Sequence, residues 1–264
     1  MTTEKDSCPE VTVIMPAFNS ARTLRESAQS VLDQSVDSLE LIVIDDLSTD
    51  DTAAIAQNLA ARDARVRLIS RPERGGPAAA RNEGMAAARG RFIAFCDADD
   101  LWLPTKLERQ LELAKASGAA LIFSSYRRVD AGFAGPAAES SAPERVIHAP
   151  ARVTYAELLR HNVIGCLTAV IDTRKTGPVS MPDLPGAEDW GLWLRILREG
   201  GQAVGITEPL ALYRTAQQGS HSAGRWRAVR AVWRVLRAEE RLSLPSAVLH
   251  LVTDAVSALR KSRV

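Results

Sequence analysis

The sequence has few cysteines and aromatic residues, little net charge and no long apolar run. Its cysteines, Cys8, Cys96 and Cys166, are odd in number and widely spaced. They form neither a zinc-ligand spacing nor a disulfide framework, which fits a reducing cytoplasm. No stretch reaches the roughly 18 apolar residues that a membrane-spanning helix needs. The opening MTTEKDSCPE lacks the apolar core of a secretory signal. A formal charge of +1 over 264 residues gives no global electrostatic case for binding nucleic acid. No glycine-rich fingerprint follows the first apolar segment, which disfavours a dinucleotide-dependent oxidoreductase. There is no internal repeat.

The remaining composition, 46% hydrophobic and 25% charged, is that of a globular chain long enough to bury a full core. Charge is unevenly placed. From Arg225 onward nine basic residues face three acidic ones, giving +6 and leaving about −5 on the first 224 residues.

Short β-branched runs alternate with amphipathic segments. Val11–Met15, Leu39–Ile44, Val66–Ser70 and Phe92–Phe95 read as buried strands. Between them lie a helix capped by Ser20, a helix over Thr52–Ala61, and a helix opened by Pro77 that carries Arg81 and Asn82. Such alternation predicts right-handed βαβ units and a mainly parallel sheet, whose ligands bind outside the carboxyl ends of the strands. Acidic residues collect there, at Asp45-Asp46 and at Asp97-Ala98-Asp99-Asp100. Further on, Leu121–Ser124 and Thr168–Ile171 suggest strands, and Tyr155–Arg160 and Asp189–Arg198 suggest helices. The Gly-, Ala-, Pro- and Ser-rich stretch 132–150 reads as a loop.

Two carboxylates one residue apart at a strand end can reach one hard divalent cation together with a diphosphate. Taken alone, Asp97-Ala98-Asp99 also fits a solvated turn capping a following helix. Four motifs in order give it context: Pro16-Ala17-Phe18-Asn19, Ile44-Asp45-Asp46 through Thr52, Gly75-Gly76-Pro77 through Gly84, and Cys96-Asp97-Ala98-Asp99-Asp100 through Pro104. Together they resemble the signature of the family 2 glycosyltransferases, densely over residues 10–112 and more thinly to about 222.

The resemblance implies an α/β fold of the GT-A type, Rossmann-like, with a mainly parallel mixed sheet flanked by helices. It divides residues 1–224 into a nucleotide-binding half (10–112) and an acceptor-binding half (113–224), followed by a helical tail (225–264). It implies inverting, metal-assisted transfer of a sugar from a nucleotide-sugar, most simply a UDP-sugar, to an acceptor hydroxyl in polysaccharide or glycolipid assembly. Mn2+ or Mg2+ would be the cofactor, and a carbohydrate or lipid-linked sugar the acceptor. Pro16, Ala17, Phe18 and Asn19 would border the base, with Phe18 stacking on it, and Asp46 would accept the N3–H of uracil. Arg81 would sit by the diphosphate, Asp97 and Ala98 by the nucleotide, and Asp99 with Asp97 on the metal. Asp189, with Glu188 as alternate, would take the acceptor proton, and Trp190 and Trp193 could stack on sugar rings, although Trp193 reads first as core, on the buried side of its helix. At a helix start Asp189 is expected to stay ionised. One position departs from the family pattern: two residues beyond Arg214, where relatives often carry His, stands Ala216, and His221 is the nearby substitute.

The rival readings are a sugar-phosphate nucleotidyltransferase, whose basic glycine-rich loop is missing after the first strand, and a catalytically silent protein of the same fold. Retention of Asp46, Asp97, Asp99 and Asp189 together speaks against the latter. In the tail, Trp226, Val229, Val232, Trp233 and Leu236 recur at helical spacing among arginines, and Pro245 opens a second apolar stripe. Such a pair can pack on the domain or lie on an anionic membrane, at the inner face of the cell membrane, and the two are compatible.

Overall fold

The computed structural model describes residues 8–130, 133, 145–215 and 229–262, with side chains in the last helix through Thr253. Its centre is a ten-stranded mixed sheet. Strands β1 (Val11–Ala17), β2 (Leu39–Asp45), β3 (Val66–Ser70) and β4 (Phe92–Phe95) pair in parallel in the order β3-β2-β1-β4. Helices α1 (Leu24–Leu32), α2 (Thr52–Arg62) and α3 (Gly76–Ala87) fill the crossovers. Alternate residues of each strand reach opposite faces. Val11, Val13 and Met15 meet α1, α2 and α4 (Lys106–Ser117), whereas Ile14, Ile42 and Ile44 meet α3. Both faces are therefore covered, as parallel strands require. Gly84 lets α3 lie close to the sheet, because an added Cβ would stand 2.7 Å from Ile14 and 2.8 Å from Ile44.

Several local expectations shift. Pro16 lies inside β1 rather than closing it. It stands beyond the last pairing with β4, Ile14 opposite Phe95, so its missing N–H empties no ladder position. Ser20 does not cap α1: that helix starts at Leu24, and the Ser20 carbonyl accepts the amides of Thr23 and Leu24 in a preceding turn. The capping alternative for Asp97–Asp100 fails as well. The chain continues into β5 (Leu101–Trp102), and α4 begins only after Thr105.

Beyond α4 the sheet turns mixed. β9 (Val170–Asp172) runs antiparallel between β4 and β6 (Leu121–Asp130), and β10 (Ala203–Thr215) returns parallel to β6. β7 (Arg145–Ile147) pairs with β6 and β8 (Arg152–Val153) with β10, so part of the expected 132–150 loop is strand. Helix α5 (Tyr155–Arg160) carries a full capping box between Thr154 and Glu157. The short α6 (Thr173–Thr176) precedes α7 (Glu188–Arg198).

The tail packs on this domain. Residues 229–234 are helical and run into a π-helical turn, Val235–Glu239; Leu244–Ser262 forms a final helix. Ala231, Val235, Leu236 and Ala247 are buried in the same apolar cluster as α5 and α7. Glu239 pairs with Arg195 at 2.5 Å, and Glu240 with Arg198 at 3.0 Å and with the hydroxyl of Tyr155. The outer face differs: Leu244, Val248, Leu249 and Val252 are exposed. Ala216, His221 and Trp226 lie outside the described residues. Among the described residues no helix is long and apolar enough to cross a membrane.

Candidate functional site

The carboxyl ends of β1, β2 and β4 and the start of α3 enclose a cavity of about 350 Å³. Pro16, Ala17, Phe18, Asp46, Arg81, Asp97, Ala98 and Asp99 all line it. Of the residues expected at the nucleotide, Asn19 alone is missing from the lining. It sits in the left-handed region (φ 48°), where its amide donates to Ser48 Oγ at 3.0 Å and its Oδ1 accepts the Thr49 amide at 2.8 Å. Asn19 therefore ties the loop after β1 to the loop after β2. Phe18 borders the cavity with the Arg74 guanidinium over its ring, 3.7 Å from the centroid.

Asp46 is buried and organises one wall. Oδ1 accepts the Gly75 amide at 2.9 Å and a bond from Arg71, and Oδ2 accepts the Gly76 amide at 2.7 Å. Gly76 reaches this geometry at φ 78°, a region costly for residues with a Cβ. Burial opposes ionisation of Asp46, but the two amides and Arg71 outweigh it and hold the carboxyl below its ordinary range.

On the floor, Arg81 Nη2 donates to Asp97 Oδ1 at 2.5 Å, and its Nη1 stands 3.5 Å from Glu188 Oε1. Arg81 is buried, and its Nε has no hydrogen-bond partner. Burial would weaken the cation, yet the carboxylate of Asp97 keeps it firmly protonated. This guanidinium links the β4 end to the start of α7. Asp99 opens toward the cavity, where partial desolvation, followed by the charge of Asp97, pushes its carboxyl above the usual range. Among the described residues no cluster of three or more His, Cys, Asp or Glu side chains could enclose a metal ion.

Asp100 is buried behind this floor, pushed far upward by burial and by Asp97 and Asp99, and accepts the Arg214 amide at 3.1 Å. Arg214, which sequence reading used only as a landmark, is a buried anchor. It donates to the Asp99 carbonyl at 2.9 Å and pairs with Glu26. Its partners lie 115 and 188 positions away, so no local pattern announces it. Arg71 and Arg74 were also missed, although both fall in the four residues after β3.

A second cavity, also about 350 Å³, lies beside the start of α7. Asp189 lines it with Tyr126, Arg128, Arg145, His148 and His161. Desolvation raises the Asp189 carboxyl to about 6, against the pull of the Trp190 amide, which it accepts at 2.7 Å, and of Arg81. Asp189 was expected to stay ionised at a helix start; burial raises its carboxyl yet leaves it ionised at neutral pH. The Trp190 reading is corrected. Its ring is buried, with Nε1 donating to the Leu158 carbonyl at 3.0 Å, and Trp193 packs edge-on against Phe95, so both are core.

Comparison with known proteins gives the family and the fold. The profile described as Glycosyl transferase family 2 matches residues 12–169. A Bacillus subtilis protein described by inference as the teichuronic acid biosynthesis glycosyltransferase TuaG is 37% identical over 253 residues, covering 96% of this chain and 97% of its own. The Escherichia coli UDP-Glc:alpha-D-GlcNAc-diphosphoundecaprenol beta-1,3-glucosyltransferase WfgD is 34% identical over 86% of this chain and 85% of its own. Among solved structures, the mannosyltransferase PcManGT from Pyrobaculum calidifontis, in complex with GDP-Man and Mn2+, superposes with a TM-score of 0.68 at 21% identity, over 94% of this chain and 69% of its own. S. aureus TarS 1–349 in complex with UDP-GlcNAc gives 0.66 at 20% identity, over 92% and 70%. The fold is thus GT-A, and the chain is a glycosyltransferase that belongs to glycosyl transferase family 2.

Proposed function

We propose that the chain transfers a sugar from a UDP-sugar to an acceptor hydroxyl with inversion, with divalent metal assistance, at the surface of an anionic membrane. The observation that carries this reading is the placement of two carboxylate sites on either side of Arg81. Asp97 and Asp99 open on the first cavity, and Asp189 on the second. Residues 10–112 then supply the donor side and residues 113–224 the acceptor side.

On the donor side, Phe18 offers a ring to the base. Asp46 has about four lone-pair positions and fills three with Arg71, Gly75 and Gly76, leaving one on Oδ2 for a uracil N3–H. Asp97 and Asp99 supply only oxygen donors and too few to cage an ion, which suits Mg2+ or Mn2+ shared with substrate phosphates. When bound, that cation would neutralise charge on the departing nucleoside diphosphate. On the acceptor side, the Asp189 carboxylate takes the hydroxyl proton as that oxygen bonds to the anomeric carbon, and the bond from that carbon to the diphosphate breaks. A carboxyl near 6 is ionised at neutral pH yet basic enough for this task. Glu188 is held by Arg81 and the Gly186 amide, and so serves as a positioning group.

The test is the melting shift produced by UDP with manganese, which grows with the logarithm of ligand concentration over its dissociation constant. The wild type shifts and Asp99→Ala does not; an equal shift in both removes Asp99 from the metal. For the membrane, Leu244, Val248 and Val252 recur every fourth residue and are exposed on the last helix, whose Leu251 lines a groove with Val229, Arg230, Trp233 and Arg234. The full chain sediments with anionic vesicles but not neutral ones, and replacing these three residues by Ser abolishes it. Equal sedimentation of the variant removes these three residues from the membrane contact, and no sedimentation of the wild type leaves the tail as a packing element alone.

A further inference from the structure

The axial C–H bonds of a pyranose make a ring face apolar, so a sugar site pairs polar groups with a flat aromatic surface. Trp190 and Trp193 were expected to supply that surface, and both are core. Two tyrosines stand where the tryptophans do not reach. Tyr126 on β6 lines the cavity beside Asp189. Tyr213 on β10 is the register partner of Arg128, which lies two residues along β6 from Tyr126 and so on the same face of the sheet. The two rings meet edge to face, with centroids 6.1 Å apart and planes at 71°.

Neither ring is consumed by the core. Tyr213 is 39% exposed. Tyr126 is half-buried and held from one side by bare backbone: a Cβ on Gly165 would stand 3.1 Å from its Cε1. The pair also spans the two carboxylate sites. Burial, and then the charges of Asp100, Asp99 and Asp97, push the Tyr213 phenol upward. Burial lifts the Tyr126 phenol as well, with Arg128 opposing and Asp100 and Asp189 adding. The two rings thus reach from the field of Asp99 to that of Asp189.

We infer that Tyr126 and Tyr213 form the platform on which the sugar ring of the acceptor lies, with its hydroxyl turned toward Asp189. The inference rests on the reading of this side as the acceptor side, and it names side chains that select the acceptor there. Selection follows from shape: a pyranose stacks through its apolar face, whereas an open-chain polyol with similar hydroxyls has no flat face to offer. A ring held on two fixed aromatic surfaces presents one orientation to the base. A cavity of about 350 Å³ is near the lower end of ligand sites, which suits one ring rather than a chain of them.

Saturation-transfer NMR on the full chain, with UDP and magnesium held saturating, tests the platform. Methyl β-glucopyranoside and methyl β-galactopyranoside are the probes, and sorbitol is the control. In the wild type, transfer concentrates on the ring protons of one face of at least one pyranoside and is absent from sorbitol. Tyr126→Ala raises the Kd of that pyranoside roughly tenfold, and Tyr213→Ala, at the more exposed ring, raises it roughly threefold. Tyr126→Phe stays within about twofold, because the ring rather than the hydroxyl does the stacking. All three variants keep their affinity for UDP, which reports an intact fold. An unchanged Kd in both Ala variants, saturation spread evenly over both ring faces, equal transfer to sorbitol, or no transfer to either pyranoside overturns the inference. Turnover of Asp189→Asn reads the acceptor side independently. Near-normal turnover beside a face-selective signal strikes that reading and leaves the sugar platform; lost turnover without such a signal strikes the platform alone.

Discussion

The two cavities are alike in size and differ in the charge of their linings. The cavity proposed for the donor is lined by Asp46, Asp97 and Asp99 with Arg74 and Arg81, and the one proposed for the acceptor by Arg128, Arg145 and two histidines around one carboxylate. The first is assembled from strand ends that are close in sequence and stitched by backbone hydrogen bonds, such as those from Gly75 and Gly76 to Asp46. The second is assembled from β6, β7, the end of α5 and the start of α7, elements separated by long stretches of chain. Arg81 stands between them, bonded to Asp97 on one side and facing Glu188 on the other.

The sharpest way to break this division is to disable one side and read both. Asp189→Asn keeps shape and removes basicity, so transfer falls by roughly two to four orders of magnitude. The melting shift with UDP and manganese stays as in the wild type. Near-normal turnover in the variant would move the base elsewhere and dissolve the acceptor side as drawn. A smaller effect belongs to Asp46→Asn. Replacing the charged acceptor weakens its bonds to Arg71, Gly75 and Gly76. A hydrogen bond to a charged group is worth about 1.5–3 kcal/mol, so donor affinity drops roughly tenfold or more. The KM for the acceptor is unchanged. Parallel losses on both sides would mean that the cavities are not independent.

The same division separates what the sequence disclosed from what it withheld. Strands β1 to β4 and their helices were legible because each is a local pattern, an apolar run or an amphipathic period bounded by Gly, Pro or Asp. Apart from Arg81, inside α3, the residues expected at the donor sit at the ends of those runs, and all but Asn19 line the cavity. The 13-residue β10 was not legible, since Thr207, Glu208 and Pro209 interrupt it and its pairing with β6 shifts register there. Arg214 gave no signal because its roles lie with Glu26, Asp99 and Asp100 far along the chain. The basic cavity depends on Arg128 meeting Arg145 across two strands, a pairing no local period encodes. Trp190 was read as a sugar platform because composition cannot tell a buried indole from an exposed one, and the Leu158 carbonyl settles it.

The smallest and most specific effect is on pH dependence. Desolvation lifts the Asp189 carboxyl to about 6, and the neighbouring Glu188 and Asp97 add to it. A base must be unprotonated to act, so kcat/KM falls as pH drops through about 6, roughly tenfold per unit below it. At pH 6 itself the loss is only about half, which makes this the mildest perturbation proposed here. Stability moves the other way. The folded state binds the proton more tightly than the unfolded chain, whose Asp titrates near 4, so this group stabilises the fold below about 4 and loses that contribution as pH rises to about 6. Asp189→Asn removes the penalty of an ionised, desolvated carboxylate, and at pH 7 the variant melts higher than the wild type while its acidic activity limb disappears. Melting curves at pH 5 and pH 7 for both proteins, with a pH–rate profile for the wild type, read the two effects together. A limb near the ordinary carboxyl value of about 4, with no gain in melting temperature, would mean that Asp189 is hydrated like a surface acid and that the acceptor cavity is open to water.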